Sequence, residues 1–330
     1  MEASFIAYLK GRVRALDGGR GDDRIEAGIG DDAAVLAPTG RWVTCVDQII
    51  DGVDFRSDEH SPADIGFKAV AVNVSDVLAM GASPRTMLVT AAFPAADAVT
   101  IAGGVYDGIF EAAERFGVRL IGGDTTTYDG PLSLSVTLNG DFADFPAAEP
   151  WTRRGARVGD AVFVTGPVGG SILGRHLRPD PPVELVRRLR DDGVGVTAAI
   201  DVSDGLSLDL DRLCAASGVG VVIDRDAVPI HDDARARSQQ TGETAFRHAW
   251  SDGEDFELIL AVAPEDARRV SDLSDGRARR LATTTARTGL WTDEGGRLIR
   301  LSPQGYVHDA GADGTPTGGG RPVPETGQDR

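Results

Sequence analysis

The sequence predicts an α+β protein built as two domains, and three observations carry the prediction. Strand-like and helix-like patterns alternate through both halves of the chain. An Ala- and Pro-rich stretch, "ADFPAAEPW" (143–151), separates the halves, and 330 residues suffice for two domains of ordinary size. The domains are expected at residues 1–145 and 146–308. Residues 309–330 are polar and rich in Gly and Pro, and read as a disordered tail.

The elements follow in chain order. "MEASFIAYLKGRVRAL" is an amphipathic helix charged throughout, which is not the pattern of a secretion signal. "RWVTCVDQII" (41–50) is rich in β-branched and apolar residues and predicts a strand. "SPADIGFKAVAVNVSDVLAMGA" (61–82) opens with Ser61 as N-cap, Pro62 at the first helical position and Asp64 closing a capping box. Phe67, Val70, Val74 and Val77 then recur at helical spacing, and Gly81 supplies the stop. "TIAGGVYDGIFEAAERFG" (100–117) is a second helix, followed by the short strand "VRLI" and a glycine-rich turn, "GGDTTT". "LSLSVTLNG" (132–140) alternates as a half-buried strand does. In the second half, "GDAVFVTG" (159–166) runs as a strand into a glycine turn, and "PVELVRRLRDDG" (182–193) is helical. "AAIDVSDGLSLDLDRLCAASG" (198–218) is strand, turn and helix, and "DFELILAV" (255–262) is a strand.

Composition excludes several classes. With 51 acidic against 34 basic residues, a net charge of −17 disfavours nonspecific nucleic-acid binding. Lys10 and Lys68 are the only lysines, and acid excess with so few lysines suggests halophilic adaptation. The longest uncharged stretch, Ala161 to Gly174, holds Gly and Pro and is too short to span a bilayer, so no membrane partner and a cytoplasmic location are expected. Cys45 and Cys214 lie far apart in apolar settings and read as buried free thiols, since two cysteines cannot build a zinc site.

In so acidic a chain only position makes an aspartate informative. Asp31 and Asp32 stand between glycines and an apolar run in "GIGDDAAVL" (28–36). Asp47 interrupts an apolar strand, and Asp76 lies on an apolar helix three residues after Asn73, on the same face. Asp124 follows Gly122 and Gly123, Asp201 ends the strand "AAID", and Ser203 and Asp204 open the next helix. Taken singly, Asp31 or Asp32 can cap a turn, Asp124 can be a turn residue and Asp204 a plain N-cap. Asp47 and Asp76 resist that reading, because a carboxylate among apolar neighbours is costly unless paired or metal-bound. Carboxylates without His or Cys select hard cations such as Mg²⁺. Beside them, "GGDTTT" and "VTGPVGG" offer backbone N–H groups to phosphate oxygens, and Arg153 and Arg154 add positive charge. These are the parts of phosphoryl transfer. Neither lysine completes a P-loop, the protein-kinase motifs are missing, and "GIGDDA" meets the dinucleotide fingerprint only loosely.

Seven ordered segments, "GIGDDAAVL", "VDQIIDGVDF", "FKAVAVNVSDVLAMGASP", "LIGGDTTTYDGPLSLSVTLNG", "RRGARVGDAVFVTG", "AIDVSDGLSLDL" and "SDGEDFELIL", resemble the thiamine-monophosphate kinase family, over about residues 1–308. The family belongs to the superfamily of aminoimidazole ribonucleotide synthetase and selenophosphate synthetase. The resemblance implies an N-terminal ATP-binding domain that forms a homodimer through a β-sheet, followed by a C-terminal α/β domain. It implies transfer of the ATP γ-phosphoryl group to thiamine monophosphate, with Mg²⁺. Matched position by position, Asp32, Asp47, Asp76, Asp124, Asp201 and Asp204 correspond to magnesium ligands. Tyr106, Gly123, Asp124, Arg153 and Ser203 correspond to ATP contacts, and Glu254 and Tyr306 to contacts of the thiamine moiety. Without the resemblance, Glu254 reads as a turn residue and Tyr306 as a surface aromatic. Two departures stand out: Asp54 replaces a substrate-contacting histidine, and Val46 a hydroxyl residue beside the metal.

The implied acceptor is a phosphate monoester with a second pKa of about 6, mostly dianionic at neutral pH, so it needs no protein base. That suits a chain whose five histidines form no catalytic motif. Alternatives are another ATP-using enzyme of the superfamily, or a noncatalytic module binding divalent cations or nucleotides. Selenophosphate synthetase and the hydrogenase-maturation relative would be expected to show a reactive cysteine or selenocysteine, which neither Cys45 nor Cys214 matches.

Overall fold

The computed structural model describes residues 2–16, 25–27, 29, 33–37 and 40–307. Asp31, Asp32 and the tail from His308 onward lie outside the described residues. The chain divides into two compact units, one of Met1–Leu78 and Ala82–Ala148, the other of Ala79–Gly81 and Glu149–Arg330.

The first unit holds α1 (Glu2–Leu16), a two-stranded ribbon of β1 (Ile25–Ala27) and β2 (Val35–Leu36), β3 (Trp42–Ile50), α2 (Pro62–Ala79), β4 (Ser83–Pro94), α3 (Ala98–Phe116), β5 (Arg119–Tyr128) and β6 (Ser133–Asp141). A four-stranded sheet runs in the order β3-β6-β4-β5. Only the β4–β5 pair is parallel, and α3 is its crossover. Alternation sorts the faces: on β6, Leu134, Val136 and Leu138 are buried between half-buried Ser133, Ser135, Thr137 and Asn139.

α2 starts as its sequence dictates. The Asp64 N–H donates to Ser61 Oγ at 3.1 Å, and that hydroxyl donates to the Asp64 carboxylate at 2.7 Å. Phe67, Val70, Val74 and Val77 are all buried. Burying four such side chains contributes on the order of 1.5–3 kcal/mol each. Gly81, at φ 67°, follows the helix in the left-handed region.

The second unit holds β7 (Ala161–Val164), α4 (Val183–Asp191), β8 (Val196–Asp201), α5 (Leu206–Ser217), β9 (Gly220–Ile223), α6 (Asp232–Thr241), α7 (Ala245–Ser251), β10 (Leu258–Val262), α8 (Ala267–Leu273), β11 (Arg279–Thr285), β12 (Gly289–Glu294) and β13 (Arg297–Leu301). Its seven-stranded sheet runs β13-β12-β9-β11-β7-β10-β8. β7 and β10 lie inside the sheet and read as unbroken apolar runs because both faces are covered. Leu206, Leu210 and Leu213 of α5 pack with Ile200, Val221 and Ile259 in the core. Asp201 pairs with Leu258 where β8 ends and β10 begins, so the loops beyond that edge are set side by side.

Candidate active site

In the first unit Asp47 lies on β3 and Asp76 on α2, two elements joined by Asn73. The Asn73 side chain, fully buried on α2, accepts the Asp47 N–H at 3.0 Å, and its amide nitrogen donates to the Ala69 carbonyl at 3.0 Å. This clamp fastens edge strand β3 to α2. Cys45 Sγ lies 3.4 Å from the Asn73 carbonyl. Burial pushes that thiol well above its ordinary range, and the Asp76 and Asp47 carboxylates push it further. Both carboxylates thus act on the same buried, protonated thiol.

Tyr106 and Asp124 form a second meeting. The buried Tyr106 hydroxyl lies 3.4 Å from Thr125 Oγ1, and the Thr125 N–H donates to the Asp124 carboxylate at 2.9 Å. Burial raises the Tyr106 pKa, and the charge of Asp124 adds to it. "GGDTTT" is not a turn but the middle of β5, which runs from Arg119 to Tyr128. Gly123 is required there: at φ 154°, a Cβ would sit 1.9 Å from the Val89 carbonyl oxygen. Asp54 turns inward locally. Its carboxylate accepts the Ile50 N–H at 2.7 Å, and its carbonyl accepts from the buried Lys68 ammonium at 2.6 Å.

In the second unit five predicted residues converge on one turn. Beyond Asp201 the pairing continues irregularly: the Val202 N–H donates to the Glu257 carbonyl at 2.7 Å, the Phe256 N–H to Val202 at 2.9 Å, and the Glu254 N–H to Ser203 at 2.7 Å. The Tyr306 N–H donates to the Asp204 carbonyl at 2.9 Å. Asp201, Ser203, Asp204, Glu254 and Tyr306 thus meet within a few residues of one another. Arg153 lies apart on an exposed bend, its carbonyl accepting the Ser217 hydroxyl at 2.9 Å.

Glu254 and Phe256 are both left-handed, at φ 60° and 54°. Non-glycine residues held so cost about 1–3 kcal/mol each and persist only where their surroundings over-determine them. Asp255, buried between them, supplies that hold. Its carboxylate accepts the Gly169 N–H at 2.9 Å and the Arg175 guanidinium at 2.8 Å. Burial pushes Asp255 up to about 7, against the pull of Arg175. This left-handed pair is why the predicted strand from Asp255 begins only at Leu258.

The same contacts correct the reading of "VTGPVGG" as a phosphate cradle. The Gly169 N–H is taken by Asp255 and the Gly170 N–H by Asp252, at 3.1 Å, and both glycines are buried. The loop is a brace for the 252–257 segment, because inward-facing carboxylates reach its N–H groups first.

Asp204 is not the N-cap of α5. Gly205 occupies that position, and it is Asp209 that accepts the Asp204 and Gly205 N–H groups at 2.9 and 3.1 Å. Asp204 pairs instead with Arg212. Burial, with Asp201 and Asp204 nearby, pushes Asp209 up to about 7. Among the described residues, no group of three or more His, Cys, Asp or Glu side chains forms a cage for a metal ion. Paired carboxylates nevertheless suit Mg²⁺, which takes one or two of them and completes its shell with water and substrate oxygens.

Comparison with known proteins decides the family. The family model for the AIR synthase related protein N-terminal domain matches residues 30–141, and that for the C-terminal domain matches residues 157–290. The thiamine-monophosphate kinase of Rhodopirellula baltica is 51% identical over 319 residues, 93% of this chain and 97% of that protein. This chain belongs to the thiamine-monophosphate kinase family. Among solved structures of this family, the kinase from Stenotrophomonas maltophilia K279a superposes with a TM-score of 0.74 at 33% identity, covering 86% of this chain and 95% of that one. AaThiL complexed with AMPPCP and TMP gives 0.70 at 26% identity, covering 90% of this chain and 95% of that one. The α+β architecture is thus the two-domain AIR synthase-like fold of the thiamine-monophosphate kinases.

Sequence reasoning missed two supports of these residues, the Asp209–Arg212 pair and the Asp255–Arg175 pair, and it set Asn73 beside Asp76 without its bond to Asp47. Asp209 carried a readable signal. It shares the apolar stripe of Leu206, Leu210 and Leu213, the same anomaly that singles out Asp76. Arg175 carried none, since its partner is 80 residues away.

Proposed function

We propose that this chain is a kinase that transfers the γ-phosphoryl group of ATP directly to thiamine monophosphate, giving thiamine diphosphate and ADP. The observation that carries the reading is the meeting of Asp201, Ser203, Asp204, Glu254 and Tyr306 on one turn, in a chain similar to thiamine-monophosphate kinases over most of its length. AaThiL, complexed with AMPPCP and TMP, supports the same pair of ligands here.

In the first unit, Asp32, Asp47, Asp76 and Asp124 are the proposed magnesium ligands, with Tyr106, Gly123 and Asp124 contacting ATP. In the second, Asp201 and Asp204 hold magnesium, Ser203 and Arg153 contact ATP, and Glu254 and Tyr306 take the thiamine end. Asp54, whose carboxylate accepts the Ile50 N–H, is the proposed acceptor contact in place of the family's histidine. Magnesium, when bound, screens the repulsion between two polyanions and helps align an in-line displacement. The residues do the holding: Asn73 ties the Asp47 backbone to α2, the helix that carries Asp76, Arg212 balances Asp204, and the Asp255 anchor fixes Glu254. No side chain is asked to remove a proton, since the acceptor is already anionic.

The chain works as a homodimer in the cytoplasm on this reading. The outer face of the first sheet supports self-association, since Val46 and Leu88 stand exposed there on β3 and β4. ADP release, coupled to a spectroscopic readout and run with and without thiamine monophosphate, tests the proposal. Release that depends on thiamine monophosphate and on Mg²⁺ supports it. Release indifferent to that acceptor points to another enzyme of the superfamily, and nucleotide binding without release to a noncatalytic module.

A further inference from the structure

Residues 302–307 form an extended strap fastened at every second position. The Trp250 indole N–H donates to the Ser302 carbonyl at 3.3 Å. The Ser207 hydroxyl donates to the Gln304 carbonyl at 2.7 Å and accepts the Gln304 N–H at 2.9 Å. The Tyr306 N–H then reaches the Asp204 carbonyl at 2.9 Å. Between the last two anchors the strap presses flat. A Cβ on Gly305 would sit 2.5 Å from the Asp204 oxygen and 2.8 Å from Leu208 Cβ.

Ser207 is the central anchor and is fully buried. A buried hydroxyl keeps its place only with partners, and both of this one's lie on the same residue of the strap. One side chain thereby takes the place of a neighbouring strand at Gln304, satisfying both its backbone donor and its backbone acceptor. Ser207 sits in the first turn of α5, three residues after Asp204. The turn that carries Asp204 and the strap that carries Tyr306 are therefore fastened by three bonds, two between Ser207 and Gln304 and one from the Tyr306 N–H to the Asp204 carbonyl.

We propose that Ser207 is a positioning residue that fixes Tyr306 for recognition of the thiamine end of the acceptor. It acts through the strap and touches no substrate. The inference rests on the reading of Tyr306 as an acceptor contact.

The test uses the full chain and the coupled ADP-release assay. Ser207→Ala raises KM for thiamine monophosphate about tenfold, equivalent to ~1.4 kcal/mol, while KM for ATP and kcat stay within about twofold. Ser207→Ala in a Tyr306→Ala background adds nothing further to KM, because the two act as one unit. Equal rises in both KM values, or full additivity with Tyr306→Ala, is the pattern of general loosening and overturns the proposal. Should Ser207→Ala fail to unfold cooperatively, Gly305→Ala lifts the strap from Asp204 and Leu208, and an unchanged KM for thiamine monophosphate in that variant overturns it equally. A wild-type chain without release dependent on thiamine monophosphate sinks the functional reading and this inference together. An active wild type with an unchanged Ser207→Ala sinks the inference alone.

Discussion

Arg212 holds Asp204 and Asp209 with a single nitrogen: Nη1 donates to Asp209 at 2.7 Å and also to Asp204. One positive charge thus balances a cluster that includes Asp201, and it competes with any cation for Asp204. Arg212→Gln is expected to lower stability by about 1–2 kcal/mol, less than the ~3–5 of a fully buried pair because the side chain is 38% exposed. Added Mg²⁺ should then raise the melting temperature of the variant more than that of the wild type. Thermal unfolding in chelator and in magnesium reads both, and equal magnesium shifts would remove Asp204 from the ligand set.

Asp76→Asn and Asp204→Asn should each cut turnover by more than the ~10–100-fold lost when a mere support of a metal ligand is removed. The Asp76→Asn melting temperature should change little, since Asn keeps the shape of Asp, whereas Asp204→Asn also gives up its ion pair with Arg212 and should melt somewhat lower. Turnover at saturating Mg²⁺ is the measurement. A silent Asp204→Asn would return that residue to a structural role beside Arg212.

The pH dependence of stability follows from Asp255, whose carboxyl is raised from 3.8 to about 7 in the fold. Between those values the folded chain keeps a proton that the unfolded chain has released, so the contribution of this group to stability is complete below about pH 4 and declines as pH rises toward 7. Asp209, raised to about 7, acts with the same sign. Asp255→Asn cannot titrate, and its denaturation midpoint should fall less than that of the wild type between about pH 4.5 and 7.5. A wild-type midpoint that rises across this window would contradict the assignment.

How much of this was legible follows the range of the forces involved. α2 could be read from Ser61, Asp64 and the Phe67–Val77 stripe because capping and amphipathicity act within a few residues. Asp47 and Asp76 could be flagged because a charge in an apolar pattern is locally anomalous. The end of the strand at Leu258 could not be read: Asp255 is held by Gly169 and Arg175, more than 75 residues away, and that hold forces Glu254 and Phe256 left-handed. Gly123 misled for a related reason. A pair of glycines signals a turn, whereas here one glycine admits the Val89 carbonyl of a neighbouring strand. The glycine loop at 166–170 misled too, since nothing local reveals that Asp252 and Asp255 have taken its N–H groups.

Gly123→Ala should destabilise the first unit by about 3 kcal/mol or more, the range of substitutions that strain a special backbone position. The added Cβ meets backbone, not a yielding side chain, at 1.9 Å, so β5 must draw away from β4. Asp124 moves with it, and turnover should fall further than the remaining folded fraction explains. Denaturant unfolding with activity normalised to folded protein checks this. A variant as stable as the wild type would show that the strands part at no cost.

Glu254 separates strain from function, because its left-handed φ of 60° penalises every residue with a Cβ. Glu254→Gly and Glu254→Ala both remove the carboxylate, so both should raise KM for thiamine monophosphate to a similar degree. Their stabilities should differ. Glycine relieves the strain that alanine keeps, and the Gly variant should be the more stable by about 1 kcal/mol, the reverse of the order at an ordinary helical position. Denaturation midpoints and acceptor KM for the two variants supply the comparison. If Ala matches Gly in stability, the Asp255 anchor is not holding a strained turn; if neither changes KM, Glu254 does not meet the acceptor and its conformation needs another cause.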